Sequence, residues 1–320
     1  MRMRAVASLK AQKELRWTWV KCGVAITIIA LASFLLYRTL SGHSLDDIVQ
    51  SIKAIPPNRL LLAGFFAAGS YFSLSWFDWL ALRYVDKPLP YRKAALASFC
   101  SLSLGHNIGF AALSSGAVRY RFYSRWGIRP RDIAGMIVFC GVTVGLGLIT
   151  LAGLAQLLRP DLGAKITGIA PSLSMIIGLL CLAVPAVYLV TAAFVRRRLT
   201  IKGWSLTMPE FNLALAQIAV GSANFACVAA CLHQTLTAVA DVPYFAVAAA
   251  YVIANGMALL THVPGGLGVI ESVVMFLLPG GKIVGALVMF RVIYFLVPLC
   301  IGGLLFAITE LYYRGRKRAT

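Results

Sequence analysis

Acidic side chains are scarce in this sequence. Against 30 Lys and Arg stand only 11 Asp and Glu in 320 residues, and charged residues together make up 13%. A soluble domain carries nearly twice that charged fraction, so a water-facing globular surface is excluded. No long polar stretch occurs beyond the N-terminal segment, which leaves no room for a soluble catalytic domain or an ATP-driven motor. The sequence contains no G-x-x-x-x-G-K, H-E-x-x-H or C-x-x-C pattern, removing the recognisable phosphate-loop and metal-site chemistries. Ser114 and Ser115 lack a His–Asp constellation readable from spacing. No cofactor and no metal are expected, and the chain does not read as an enzyme. The ten-residue alternating segments of a membrane β-barrel are absent as well.

What is present is hydrocarbon. Apolar residues make up 60% of the chain and the mean hydropathy is +0.82. Several runs exceed the 18 or so residues needed to cross about 30 Å of bilayer core. The expected fold class is an all-α integral membrane protein forming one domain over 1–320, with about six full spans near 19–37, 60–84, 133–157, 171–194, 211–232 and 283–312. Residues 44–57 carry apolar side chains at a 3.6-residue period and predict a helix lying along the interface. The first apolar run follows some 17 polar residues and is long enough to remain as an anchor rather than a cleaved signal. The seven cysteines sit within or beside apolar runs and read as small packing groups.

The net charge is +19, and 23 of the 30 Lys and Arg cluster in short segments between apolar runs: Arg2–Lys21, Arg83–Lys93, Arg119–Arg131, Arg196–Lys202 and Arg314–Arg318. That distribution is the positive-inside pattern, not a nucleic-acid footprint. It places both termini in the cytoplasm, with 1–18 a basic leading segment and 313–320 a basic tail. The basic rim faces anionic headgroups of the inner leaflet, so membrane lipids are expected partners and nucleic acid is not.

Two stretches resist assignment as plain spans. One is GHNIGFAALSSGAVRYRFYS at 105–124, after an apolar helix near 94–104. The other is THVPGGLGVIE at 261–271, followed by a helix of about ten residues. Counting sides requires 94–118 and 244–279 to enter and leave by the same face, as two re-entrant hairpins in a pseudo-inverted repeat. That pattern belongs to transporters. Pro264 ends a helix, and Gly265, Gly266 and Gly268 permit positive φ and close approach. The helix that follows starts with free N–H groups, a setting that suits a phosphate. Ser115 and Gly116 offer a comparable start, with Arg119 and Arg121 nearby. The G-V-T-V-G run at 141–145 reads as a small-residue helix-packing stripe.

Ionisable groups inside the bilayer are costly unless paired or wet. Asp78, Glu271 and Arg291 lie within apolar runs, and His106, Asn107 and His262 flank the two breaks. Either Glu271 or Asp78 forms a fixed ion pair with Arg291 that ties helices together, or these groups line a polar chamber for a charged headgroup.

The stretches SLSWFDWLALRYVDKPLPYRKAALASF (73–99), GHNIGFAALSSGAVRYRFYSRWGI (105–128), THVPGGLGVIESV (261–273) and FRVIYFLVPL (290–299) resemble the N-terminal flippase part of the multiple peptide resistance factor, in the lysylphosphatidylglycerol synthase transmembrane-region superfamily. The resemblance covers essentially the whole chain. Gly116 and Arg119 match, but Ala117 stands where the broader superfamily often has an acid. It implies a multi-pass protein of the bacterial inner membrane that moves lysyl-phosphatidylglycerol or a related anionic phospholipid and contributes to antimicrobial peptide resistance. The chain stops before the family's aminoacyl transferase part, so synthase activity is not carried over. A separate aminoacyl-lipid synthase then becomes the expected protein partner, and the oligomeric state stays open. A non-transporting scaffold for such an enzyme, or a carrier of another lipid or small molecule, are the alternatives.

Overall fold

The computed structural model describes residues 49–50, 53, 55–108, 111–161, 168, 170–194, 198–201, 204–261, 263–278 and 283–319. The expected span at 19–37, the leading segment 1–18 and His262 lie outside the described residues. Of the expected interfacial stretch, residues 49, 50 and 53 are helical.

In chain order the elements are α1 (Pro57–Tyr84), α2 (Tyr91–Ile108), α3 (Ala111–Arg125), α4 (Pro130–Leu158) and α5 (Pro171–Phe194). A short antiparallel ribbon follows, β1 (Arg198–Ile201) with β2 (Trp204–Thr207). Then come α6 (Phe211–Leu236), α7 (Tyr244–Thr261), a 3-10 turn (Pro264–Gly266) and α8 (Val269–Leu277). The last helix runs as α9 (Val284–Arg291), a π-helical segment (Val292–Leu296) and α10 (Val297–Ala319). Among the described residues six helices are long and apolar enough to cross a membrane: α1, α4, α5, α6, α7 and the stretch Val284–Tyr313. The protein is therefore a multi-pass, helical membrane protein. Five of these match the spans read from hydropathy. The sixth, α7, has 18 residues and reaches about 27 Å at 1.5 Å per residue, span length in its own right.

Proline sets several of the helix starts. Pro57 and Pro130 occupy the first helical position, where the missing N–H removes nothing and φ is preset. Pro298 acts differently, because it cannot donate to the carbonyl of Tyr294 four residues earlier. The helix widens into its π segment there, and Tyr71 Oη reaches the Tyr294 carbonyl at 3.4 Å.

Helices α1 and α6 pack along much of their length, and α4 packs against both α5 and α6. Helix α5 is peripheral, with only 17% of its most apolar window buried. Small residues bring backbones together, as expected where lipid supplies no hydrophobic drive to association. A Cβ on Gly147 would sit 2.3 Å from the Gly221 carbonyl carbon. At the α2–α3 turn, a Cβ on Gly105 would meet Ser115 Cβ at 2.7 Å, and Ser114 Oγ donates to the Gly105 carbonyl at 3.2 Å. The two breaks also meet each other, since α2 packs on the 3-10 turn and Gly265 lies against the His106 carbonyl.

These approaches predict a sharp contrast between glycines. Gly147→Ala forces α4 and α6 apart and should lower stability by about 1–3 kcal/mol, read as a fall in melting temperature in detergent. Gly64→Ala, where an added Cβ meets nothing within 4 Å, should leave the melt unchanged.

Candidate functional site

Two buried ion pairs frame a chamber in the middle of the bundle. The first joins α1 to α3. Asp78 is 0% exposed and Arg119 is 3% exposed. Arg119 grips the carboxylate side-on, with Nε 3.0 Å from Oδ1 and 3.2 Å from Oδ2, and Nη2 2.7 Å from Oδ1. Its Nη1 donates to Ser115 Oγ at 3.1 Å, one turn back on the same helix. Tyr123, one turn ahead, donates its hydroxyl to Asp78 Oδ2 at 2.8 Å. Ser115, Arg119 and Tyr123 thus form a single stripe at i, i+4 and i+8, which places all three against α1.

The second pair joins α8 to α9. Arg291 Nε lies 2.5 Å from Glu271 Oε1, and Nη2 lies 2.9 Å from Oε2. The same guanidinium donates from Nη1 to the Gly265 carbonyl and from Nη2 to the Gly266 carbonyl at 2.9 Å. Glu271 also accepts the Gly268 N–H at 2.9 Å. Gly265, Gly266 and Gly268 all have positive φ, at 60°, 59° and 74°, the region only glycine enters freely. The break at 264–268 is thus a turn whose carbonyls face an arginine. Within the turn the Gly268 N–H is held by Glu271, and the Gly266 N–H by the Val263 carbonyl. Glu271 had been paired with Arg291 as one option from sequence. Asp78, the other option, takes Arg119 instead.

The chamber has a volume of about 530 Å³, within the range of small-molecule sites. Its walls are mostly apolar, with Leu74, Phe77, Ile137 and Phe295 among them. The polar groups that reach it include Arg119, Ser115, His106 and Asn255. His106 Nδ1 is buried without a hydrogen-bond partner. Gly265 and Gly266 close one end. On one side the lining reaches the outer surface: Leu113 is 77% exposed and Leu259 is 45% exposed. Gly141 and Gly145 also line it, both exposed, and a Cβ on either would meet nothing within 4 Å. Close packing in the 141–145 run therefore falls on Thr143, whose carbonyl a Cβ on Gly221 would meet at 2.6 Å, and not on its two glycines. Gly147 packs on Gly221, whereas Gly141 and Gly145 are exposed and line the chamber.

Of the residues singled out from sequence, His106, Ser115, Arg119, Gly265 and Gly266 come together at the chamber. Asp78, Glu271 and Arg291 stand one layer behind. Asn107 is buried beside it, donating to the Ser103 and Phe295 carbonyls at 2.8 and 3.4 Å. Gly116 is a packing position, since a Cβ there would be 3.0 Å from Ile137 Cδ1. Arg121 is exposed and pairs with Glu310 at 3.1 Å, away from the chamber. Gly268 is exposed in the turn, and Pro264 belongs to the 3-10 segment. Tyr123, Tyr251, Asn224, Asn255 and the place of Gly141 and Gly145 in the lining were not singled out. Asn224 and Asn255 did leave a signal, each being a lone amide in an apolar run. Among the described residues no cluster of His, Cys, Asp or Glu could hold a metal.

The family model described as lysylphosphatidylglycerol synthase TM region matches residues 22–302. The uncharacterized protein slr0712 of Synechocystis sp. is 31% identical over 304 residues, covering 92% of each chain. Inner membrane protein YbhN of Escherichia coli is 31% identical over 252 residues, covering 75% of this chain and 77% of its own.

The Asp78–Arg119 geometry makes a stability prediction. Asp78→Ala strands a buried guanidinium and should cost about 3–5 kcal/mol, read as a lowered melting temperature of the detergent-purified protein. The double replacement Asp78→Leu with Arg119→Met should recover most of that loss.

Proposed function

Because the chain belongs to the lysylphosphatidylglycerol synthase TM-region family, we propose that it is a phospholipid translocase of the bacterial inner membrane. It moves phosphatidylglycerol or an aminoacyl ester of it, with the headgroup in the central chamber and the acyl chains in the bilayer. The observation that carries this reading is the shape and chemistry of the chamber. Arg119, Ser115 and His106 line it together with Leu113 and Leu259, which are exposed, and with the exposed glycines Gly141 and Gly145; we take that exposed, apolar part of the lining as a lateral opening. A soluble solute needs no apolar lateral mouth. A lipid does, because its chains must stay in hydrocarbon while its head passes through the protein.

In this reading both termini are cytoplasmic, following the Lys and Arg bias. The α2–α3 and α7–α8 pairs act as re-entrant elements from opposite faces, meeting at Gly265 and His106. Access alternates by movement of one broken element against the other. No chemical step is assigned, so the protein acts as a carrier and not as an enzyme. A second reading draws on the saturation of both ion pairs, which suits a subunit that scaffolds a separate aminoacyl-lipid synthase.

Purified protein in vesicles separates the two. With fluorescent phosphatidylglycerol as probe, wild type should speed its exchange between leaflets, and Gly145→Trp should plug the mouth and cut that rate by about tenfold or more. Leu154→Trp, on the exposed face of the same helix, should be neutral. Wild-type vesicles no faster than empty ones would leave the scaffold reading standing.

A further inference from the structure

A lysyl ester of phosphatidylglycerol carries two ammonium groups. Buried in a chamber, each requires a carboxylate or comparable acceptor, because an unpaired charge in a low-dielectric site is strongly disfavoured. Among the described residues the chamber offers none: no Asp or Glu lines it. The two carboxylates nearest to it are both committed. Asp78 accepts from Arg119 and Tyr123, and Glu271 accepts from Arg291 and the Gly268 amide. Freeing either one would leave a buried arginine unpaired.

What the chamber does offer is a cation and a set of neutral groups. Arg119 lines the cavity, and its carboxylate partner Asp78 does not. Its hydrogen bonds to Asp78 and Ser115 use Nε and one N–H on each Nη, so the second N–H of Nη1 and of Nη2 remains for a phosphate oxygen. His106 Nδ1, buried and without a partner, adds a further polar contact at that end. On α7, Tyr251 and Asn255 lie one turn apart and both line the cavity. Opposite them Asn224 accepts from Ser70 Oγ at 2.6 Å through its oxygen, which leaves its amide N–H groups, and Tyr294 Oη shares the same serine at 3.0 Å. Phenol and amide groups both donate and accept, as a pair of alcohol hydroxyls requires. An ammonium only donates.

We propose that the chamber selects phospholipids whose headgroup is a phosphate joined to an uncharged polyol, phosphatidylglycerol foremost, and discriminates against aminoacylated, cationic derivatives. This deepens the translocase reading and rests on it for the site. Arg119 and His106 hold the phosphate, and Tyr251, Asn255 and Asn224 hold the glycerol hydroxyls.

Two measurements test selectivity and transport separately. Native mass spectrometry of the purified protein, offered equal amounts of phosphatidylglycerol, lysyl-phosphatidylglycerol and phosphatidylethanolamine, reads retention. Leaflet exchange in vesicles made with each lipid reads movement. Phosphatidylglycerol should be retained about tenfold or more over both amine-bearing lipids, and should move fastest. Asn255→Asp, which sets a carboxylate in the wall, should shift retention toward the lysyl ester. Equal or greater wild-type retention of either amine-bearing lipid would overturn the proposal. Preferential retention of phosphatidylglycerol with no leaflet exchange would uphold the selectivity and sink the translocase reading.

Discussion

A helix interrupted inside hydrocarbon leaves backbone groups that nothing in the lipid can satisfy, at several kcal/mol each. The turn at Pro264–Gly266 meets that demand with one side chain. Arg291 donates to both glycine carbonyls, so a fixed cation stands where the missing helical N–H groups would have been. The cation then needs an anion, and Glu271 supplies it from the first turn of α8 while also holding the Gly268 amide. Phe295 closes the other face of the guanidinium, with its ring centroid 4.9 Å away. Turn, acid and base form one closed circuit. Remove Glu271 and Arg291 loses its counter-charge; remove Arg291 and both the carboxylate and the two glycine carbonyls lose a donor.

The circuit decides what the chamber can be. Charges that looked available for a ligand are consumed in making the break, so the break creates the space and withdraws Glu271 and Arg291 from it. The Asp78–Arg119 pair divides differently. There the acid is enclosed by Arg119, Tyr123 and the helix wall, and the base borders the cavity. The pair is neutral as a whole, yet its positive end is the one that a bound group meets. Direction, more than net charge, gives the site its preference.

Much of the fold was legible in the sequence because span length and hydropathy survive any detail of packing. The boundaries of α1, α4, α5 and α6 follow from apolar runs between basic segments, and the proline–glycine cluster at 264–268 announces its own break. Which face each helix buries was not legible. In water an apolar stripe marks the inward face, but in lipid both faces are apolar. Gly141, Gly145 and Gly147 therefore look alike in sequence, although the first two open onto a cavity and the third meets Gly221. Pairing was hidden for a related reason. Asp78 and Arg119 are 41 residues apart, and several opposite charges were equally eligible until the helices were placed. Tyr123 drew no notice because a tyrosine in an aromatic-rich helix is unremarked by any periodic rule.

Where such a structure can move follows from the same accounting. Within the Arg291 circuit, displacing the turn from α9 breaks charge-assisted hydrogen bonds that have no water to replace them. Between the two breaks the contact is of another kind. Gly265 rests against the backbone at His106, and among the described residues no hydrogen bond joins α2 to the 3-10 turn. Sliding there exchanges van der Waals contact, worth about 0.1–0.2 kcal/mol per atom pair, and the long Asn107 hydrogen bond to the Phe295 carbonyl, against several kcal/mol for opening the circuit. The turn, α8 and α9 are thereby held as one body, and the softest seam in the core runs between the two broken helices, along the wall of the chamber itself.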